Sequence, residues 1–561
     1  MVVGTLQHVP SKGRISIMKI QNFTVQKRHS VIKLAYGVLL LVIATVIAAI
    51  NPIEIITNYV MDMKEGSFIY NMWANPTYEM FTNVRLFNYT NSEAYLSGAE
   101  KVLKVSEVGP FRYKEVRTNE NLRIDRERGV LTMNPKITLE FIKEGSVGDP
   151  KDFQVVMPNL PLIAISTLAA DKVGYLPNVG VYYSMKTMGS KLFKTLSVHD
   201  VNWGYYDPVV TVANGLLPGW IDFKKLGVLD RIYTDRVQSA EVELKDAKRR
   251  YSVNTWNNRT GLVEQGYTDW NTSIPCNRVA GTYEGMMLPA NFEKGRNITI
   301  FRKQACRSFP FKFIEETTTD YGFNAYKYQM EDNAFSRNSP FACSCSDDCP
   351  PEGCIDIHGC YYGFPIILTK PHFMDVDPVQ QSYFEGMTPN KENHTSVYLL
   401  EPTIGAPVKF SIRIQINLAV RTSSGNPITA PLKDKVLPLM WLEVACPMPP
   451  PEIITLLRLR LVIGPPLYIT CLVFLFIAGL ILVAQGFYRV WKPKYKIIPP
   501  VESLAPIIRK KSIERRRSSV HENIGFKDDS ETAREAVSLL AINEEDNEFV
   551  ELLICDENEL E

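Results

Sequence analysis

The chain is poor in the groups that most often carry catalysis. It contains no Gly-x-Ser-x-Gly elbow, no phosphate-cradling glycine loop and no His-Glu-x-x-His pair. Only seven histidines occur in 561 residues, so few imidazoles are on hand for a metal site or a general base. The adjacent acids Glu315-Glu316 and Asp347-Asp348 read as solvated loop carboxylates, because neighbours in sequence cannot flank a substrate. Neither an enzymatic activity nor a cofactor is expected. An excess of one charge is also missing: 62 Lys and Arg stand against 61 Asp and Glu, a formal net charge of +1. That balance hides an uneven distribution and gives no overall basic field, so no nucleic-acid partner is expected. Residues 54–460 show no linker-like stretch and no internal repeat.

What the sequence has instead is two long apolar runs. The first is uncharged over residues 34–53, and Asn51-Pro52 closes it. The second is uncharged over residues 461–488, and Gly464-Pro465-Pro466 places its expected helix at 467–488. Each meets the length of about 20 residues that a helix needs to cross a hydrocarbon core. The first is too long for a secretory signal, its cationic leader is too long, and no small-residue cleavage site follows.

Flanking charge orients both spans. Lys12, Arg14, Lys19, Lys27, Arg28 and Lys33 precede the first, with no acid among them. Arg489, Lys492, Lys494 and Lys496 follow the second, then Arg509-Lys510-Lys511 and Arg515-Arg516-Arg517. Cationic flanks stay in the cytoplasm, so both tails, 1–33 and 489–561, are expected there. Residues 54–460 then form one large extracellular or luminal domain.

That domain carries the marks of an oxidising, glycosylating compartment. Cys276, Cys306, Cys343, Cys345, Cys349, Cys354, Cys360 and Cys446 lie in it, eight of the ten cysteines. Sequons stand at Asn88, Asn258, Asn271, Asn297 and Asn393. The cluster Cys343, Cys345, Cys349, Cys354, His358 and Cys360 has a spacing that would suit zinc in the cytosol, whereas outside it disulfides are expected. Alternation marks strands near 85–89, 101–108, 131–138, 410–420 and 437–444. Longer apolar segments within 160–223, such as 162–173 and 185–201, read as helices. The domain is therefore expected to be α+β.

Several motifs in this order resemble one family. They are Val108-Gly109-Pro110-Phe111-Arg112-Tyr113, Trp203-Gly204-Tyr205-Tyr206-Asp207-Pro208, Cys306-Arg307-Ser308 and Pro371-His372-Phe373. Gly386-Met387-Thr388-Pro389-Asn390, Glu401-Pro402, Arg413-Ile414-Gln415-Ile416-Asn417 and Pro438-Leu439-Met440-Trp441-Leu442 follow. Together with the two spans, they resemble the class B scavenger receptors, which include fatty acid translocase and the lysosomal integral membrane protein type two. Within that family the chain is most similar to the epithelial membrane protein branch.

The resemblance implies an antiparallel β-barrel core capped by an apical helical bundle, with an apolar tunnel toward the bilayer. It implies capture of lipid, lipoprotein or protein ligands, followed by uptake or by transfer of lipid. Basic residues on the apical helices would receive ligands, and the matching stretch holds Lys186, Lys191 and Lys194. Lysines are equally at home on a solvated helix face. The family's disulfides map onto Cys276–Cys343 and Cys306–Cys360, with a third small ring from Cys345 to Cys349 and Cys354 as the competing partner. Cys354 and Cys446 are extra, and either bridge each other or stay reduced.

The acidic C-terminal tail lies outside the resemblance. In it Glu535 precedes Leu539-Leu540 and Glu548 precedes Leu552-Leu553, each by four residues, the form of an acidic dileucine sorting signal. Such a peptide can set its acid on a basic patch and its leucines in an apolar pocket of a clathrin adaptor complex. The expected location is the plasma membrane, cycling with endosomes and lysosomes. A cargo escort without lipid flux is the alternative reading. A two-helix ion channel fits less well, since the spans offer only Thr45, Asn51, Thr470 and Gln485 as polar groups.

Overall fold

The structure, a computed structural model, describes residues 12–211, 223–233, 236–341, 343 and 349–491, with the backbone alone for 12–27. It divides into two compact units, one of residues 1–35 with 482–561 and one of residues 36–481.

Strand-forming segments alternate between buried and solvent-facing side chains, and they assemble into one large sheet. Along its main path we number β1 (Met80–Tyr89), β2 (Leu103–Asp125), β3 (Val130–Ile142), β4 (Ala240–Glu243) and β5 (Val253–Trp256). β6 (Ile298–Arg302), β7 (Arg307–Thr318), β8 (Asn324–Met330), β9 (Val397–Glu401), β10 (Ala406–Ala419) and β11 (Val436–Cys446) complete it. The order is β6-β7-β8-β9-β10-β11-β1-β2-β3-β4-β5, antiparallel throughout. The β11–β1 pairing joins strands from the two ends of the domain, and the β3–β4 and β8–β9 pairings span long insertions, so the path is two meanders joined edge to edge at β11 and β1.

The expected closed barrel is not found. Among the described residues β5 and β6 do not pair with each other. The connecting segment 281–283 lies between them: Gly281 N–H donates to Val253 O and Val253 N–H to Thr282 O, at 2.8 and 2.7 Å. On its other side Tyr283 N–H donates to Thr299 O and Phe301 N–H to Tyr283 O, at 2.9 and 2.8 Å. A short irregular segment thereby satisfies edge groups that would otherwise stay open.

Helices gather in the insert between β3 and β4. We label the two spans and the insert's longest helices α1 (Lys12–Ile50), α3 (Leu160–Lys172), α4 (Tyr175–Thr187) and α6 (Gly464–Trp491); α2 (Pro52–Val60) and α5 (Pro451–Leu457) lie next to the spans. Asn159 caps α3 by accepting the Leu162 N–H at 3.3 Å, and Asn178 Nδ2 donates to Ala169 O and Val173 O, satisfying carbonyls at the α3 end. The helix expected over 185–201 is not one helix. Its first residues end α4, Phe193–Ser197 is a strand paired with Gln154–Pro158, and Val198–Trp203 is a separate short helix. Apolar residues in that stretch are buried by pairing with a distant strand, which local periodicity does not reveal.

The second span also departs from expectation. It starts before 467: α5 continues through a π turn, Arg458–Ile463, directly into α6. Pro465 and Pro466 bring no N–H, and each ring would crowd the carbonyl four residues back, so the ladder widens there instead of ending. Two helices, Arg28–Ile50 and Pro451–Trp491, are long and apolar enough to cross a membrane. Within residues 36–481 they approach closely at Gly479, where an added Cβ would sit 3.1 Å from Gly37 O. Just outside the apolar stretch, Arg460 Nη1 donates to Thr57 Oγ1 at 2.7 Å and to Ile53 O at 3.1 Å, tying α2 to the second helix.

Candidate ligand site

The three candidate lysines fall on three different elements. Lys186 is exposed near the end of α4, with its ammonium 5.6 Å from the Tyr182 ring. Lys191 is exposed in the turn that follows, and its carbonyl accepts from Asn159 Nδ2 at 2.9 Å. Lys194 lies on the Phe193–Ser197 strand and is held in an ion pair by Asp207, whose side chain is fully buried. Lys194 is thus a structural cation, and Lys186 with Lys191 are the ones open to ligand. The same helix as Lys186 exposes apolar side chains, Tyr175 and Leu176 at its start and Tyr183 one turn before Lys186, which are 61, 78 and 60% exposed.

Where the resemblance implies an apolar tunnel, the interior holds three cavities that share walls. One, of about 40 Å³, is apolar and lies between α3 and the sheet, against Ala164, Val228, Phe364, Leu418 and Leu439. A second, of about 320 Å³, is lined by Arg236, Arg259, Lys303, Tyr362 and the Cys306–Cys360 bridge. The third, of about 140 Å³, is lined by Arg117, Tyr233, Trp256, Glu284 and Arg302. Ile232 borders all three.

The polar wall of this interior is built by strand alternation. On β2 the buried Phe111 and Tyr113 are followed at the same period by Glu115 and Arg117, so an apolar face runs on into an ion pair. Arg117 Nε and Nη2 donate to Glu115 Oε2 at 3.0 and 2.7 Å. Thr82 Oγ1 and Tyr233 OH donate to Glu115 Oε1 at 2.8 and 3.1 Å. Burial pushes the Glu115 carboxyl up, but Arg117 and Arg302 outweigh it and hold it below the ordinary range. Glu284 goes the other way, raised because burial exceeds the pull of the same two arginines. Burial brings Arg302 down to about 10, with Arg117 adding to it, and its buried Nε has no hydrogen-bond partner. Lys303, lowered to about 8 by burial and by Arg236, has no ion pair among the described residues. The chamber therefore presents more cation than its carboxylates balance, beside a largely apolar recess that Arg231 and Gln304 border.

These interior residues were not among the sequence candidates. The one signal was Glu115-Val116-Arg117 continuing the period of Phe111 and Tyr113, a polar pair on an inward face.

The cysteines are placed as follows. Cys276 is bonded to Cys343 and Cys306 to Cys360, with Cα atoms 5.3 and 6.4 Å apart. Cys349 is disulfide-bonded, and Cys345 lies outside the described residues. Cys354 and Cys446 are both free and buried, which removes Cys354 as a competing partner and leaves no bridge between the two. Of the sequon asparagines, Asn258, Asn271, Asn297 and Asn393 are exposed. Asn88 is half-buried in β1 and accepts the Val156 N–H at 2.8 Å. The sorting signals at Glu535, Leu539, Leu540, Glu548, Leu552 and Leu553 lie outside the described residues.

A large sheet domain between two helices long and apolar enough to cross a membrane describes a candidate membrane protein, and comparison with known proteins gives its family. The model of the CD36 family matches residues 35–490, and the chain belongs to that family. It is 26% identical over 420 residues to scavenger receptor class B member 1 of Bos taurus, covering 73% of this chain and 79% of the relative. It is 27% identical over 390 residues to lysosome membrane protein 2 of Mus musculus, covering 68% and 78%, and 26% identical over 388 residues to the Homo sapiens protein of that name, covering 68% and 77%. Family and relatives support a scavenger receptor role at a membrane, as opposed to catalysis.

Proposed function

We propose that the protein captures amphiphilic ligands, free or presented on lipoprotein or protein particles, and takes them up by endocytosis, with lipid passing through the ectodomain. The observation that carries this reading is the cationic chamber of Arg117, Arg302 and Lys303 sharing the Ile232 wall with an apolar recess. A lipid leaving its carrier loses about 0.8 kcal/mol for every CH₂ exposed to water, so a route with an apolar branch lowers the barrier to transfer. Lys186 and Lys191, with the exposed Tyr183 one turn before Lys186, supply a basic and partly apolar landing surface. Inside the cell the two acidic dileucines engage clathrin adaptors, and two weak signals on one chain raise the effective concentration at a coat. The protein then cycles between the plasma membrane and endosomes or lysosomes, with both tails cytoplasmic.

Uptake of labelled lipid and of labelled protein cargo, with and without the receptor on the cell surface, tests this. Filling the apolar recess with Ala164→Trp is expected to abolish lipid uptake and leave protein cargo uptake intact. Protein uptake without any lipid uptake in the parent would favour a cargo escort. Replacing Leu539-Leu540 and Leu552-Leu553 by alanine pairs is expected to give a partial internalisation defect singly and a large one together.

A further inference from the structure

Several of the motifs that are widely separated in sequence meet on the outer face of the sheet. Register places Arg85 of β1 opposite Trp441 of β11, and Asn83 opposite Glu443, itself opposite Arg413 of β10. Glu107 accepts from His372 Nε2 and from Trp441 Nε1, each at 2.8 Å. The Arg85 guanidinium lies 4.3 Å from the Trp441 ring centroid. These groups floor an open groove of about 710 Å³, within the size range of about 300–1,000 Å³ for ligand pockets.

Its charges cancel. Arg85 and Arg413 face Glu107 and Glu443, and Arg413 Nη2 lies 2.8 Å from Glu443 Oε1. A balanced floor favours no ion, yet it is rich in groups that bond hydroxyls and amides. Arg85 Nη1 is buried without a hydrogen-bond partner, its closest carboxylate oxygen being Glu443 Oε2 at 3.9 Å. On the rim, exposed Thr388 and Asn390 project beside it; Asn390 Oδ1 accepts the Asn393 N–H at 3.0 Å, leaving its amide N–H₂ for another partner. Asn393, an exposed sequon asparagine on the short helix Lys391–His394, lines the same groove.

We propose that this groove seats the first sugars of the N-linked glycan carried by Asn393 itself. An acetamido sugar is neutral and alternates donors with acceptors around an apolar ring face. That suits a floor whose charges cancel beneath a rim bearing the exposed Thr388 hydroxyl and the Asn390 amide N–H₂. Covalent attachment at the rim makes the binding intramolecular, so weak contacts suffice. The seated glycan covers the groove and holds residues 386–395 against the sheet.

Site-resolved glycan analysis of the full-length receptor from cells tests this. Asn393 is expected to keep an oligomannose glycan because its core is shielded from processing enzymes, while exposed Asn271 and Asn297 carry processed ones. The pair Thr388→Val with Asn390→Asp removes two rim donors but keeps the Asn390 helix cap, and is expected to convert the Asn393 glycan to the processed form. Asn393→Gln is expected to raise amide hydrogen exchange of 386–395 at least several-fold, and Asn271→Gln to leave it unchanged. An unoccupied Asn393, processing equal to that at Asn271, or no response to the rim pair would overturn the proposal.

Discussion

On the inner face of β1 and β2, Thr82 and Glu115 meet Arg117 in a fully enclosed cluster; on the outer face of the same strands, Arg85 and Glu107 meet Trp441, His372 and Glu443 in an open groove. Both sets are ion pairs backed by hydrogen bonds, and both rest on the same backbone. The difference is solvent. Inside, the side chains of Glu115 and Arg117 are 2 and 11% exposed, so desolvation is large and every lone pair must find a protein donor. Outside, Glu107 is 32% exposed, and water can replace a lost partner. Glu107 and Glu115 are eight residues apart on β2, so alternation alone would put them on one face; the one-residue register shift between Val84 and Leu86 sends Glu107 to the other.

Four measurements sharpen or break that comparison. Removing Arg117 as Arg117→Ala strands a buried carboxylate, and is expected to cost about 3–5 kcal/mol. Thermal unfolding of the detergent-solubilised receptor reads it, and a loss no larger than that of a surface pair would erase the distinction. Glu107→Ala leaves His372 and Trp441 without their acceptor in partly wet surroundings, with an expected loss of about 1–3 kcal/mol in the same measurement.

Acid should separate two groups shifted by burial, His394 and Glu284, by sign. His394, facing His372, Glu107, Arg413 and Arg85, is brought down to about 4 by burial and then by His372. A base depressed in the folded state leaves the unfolded chain binding more protons, so its stability is complete above its ordinary value of about 6.5 and is lost as pH falls toward 4. Glu284, raised by burial, does the opposite: the folded state holds its proton more tightly, so stability falls as pH rises above about 4.3. His394→Gln should flatten the acid loss, and Glu284→Gln should remove the decline toward neutral pH. Unfolding midpoints across pH 4.5–7, on the scale of ordinary His and Glu titrations, check both, and parallel slopes in the two variants would refute the assignment. The smallest effect belongs to an exposed pair: Lys327→Ala, opposite Glu315 at 2.7 Å, should change stability by no more than about 1 kcal/mol, and less at high salt.

Much of the sheet was legible beforehand. Segments 85–89, 101–108, 131–138, 410–420 and 437–444 all fall in or across β1, β2, β3, β10 and β11, because a half-buried strand writes its period into its residues. The helical insert was legible in part: 162–173 overlaps α3, while 185–201 changes from helix to strand because Gln154–Pro158 is available to pair with it. Lys194 illustrates the same gap at a site. Its sequence neighbours give no hint of Asp207, thirteen residues on, which neutralises it in the fold. Gly464-Pro465-Pro466 misled for a different reason, since a π turn offers a helix a way through that a rule about prolines alone does not include.

Read alone, the residues determined two membrane spans, a cysteine-bearing domain between them, its α+β character and its family resemblance. These rest on composition and short-range periodicity, which survive without knowledge of what packs where. Tertiary structure alone decided that the sheet stays open and is bridged by 281–283, that Glu115 and Arg117 turn inward beside Arg302, and that His372, Arg413 and Trp441 meet around one groove. Those outcomes depend on register between strands hundreds of residues apart. Register is set by burying one face of every strand together, a condition that no single segment contains.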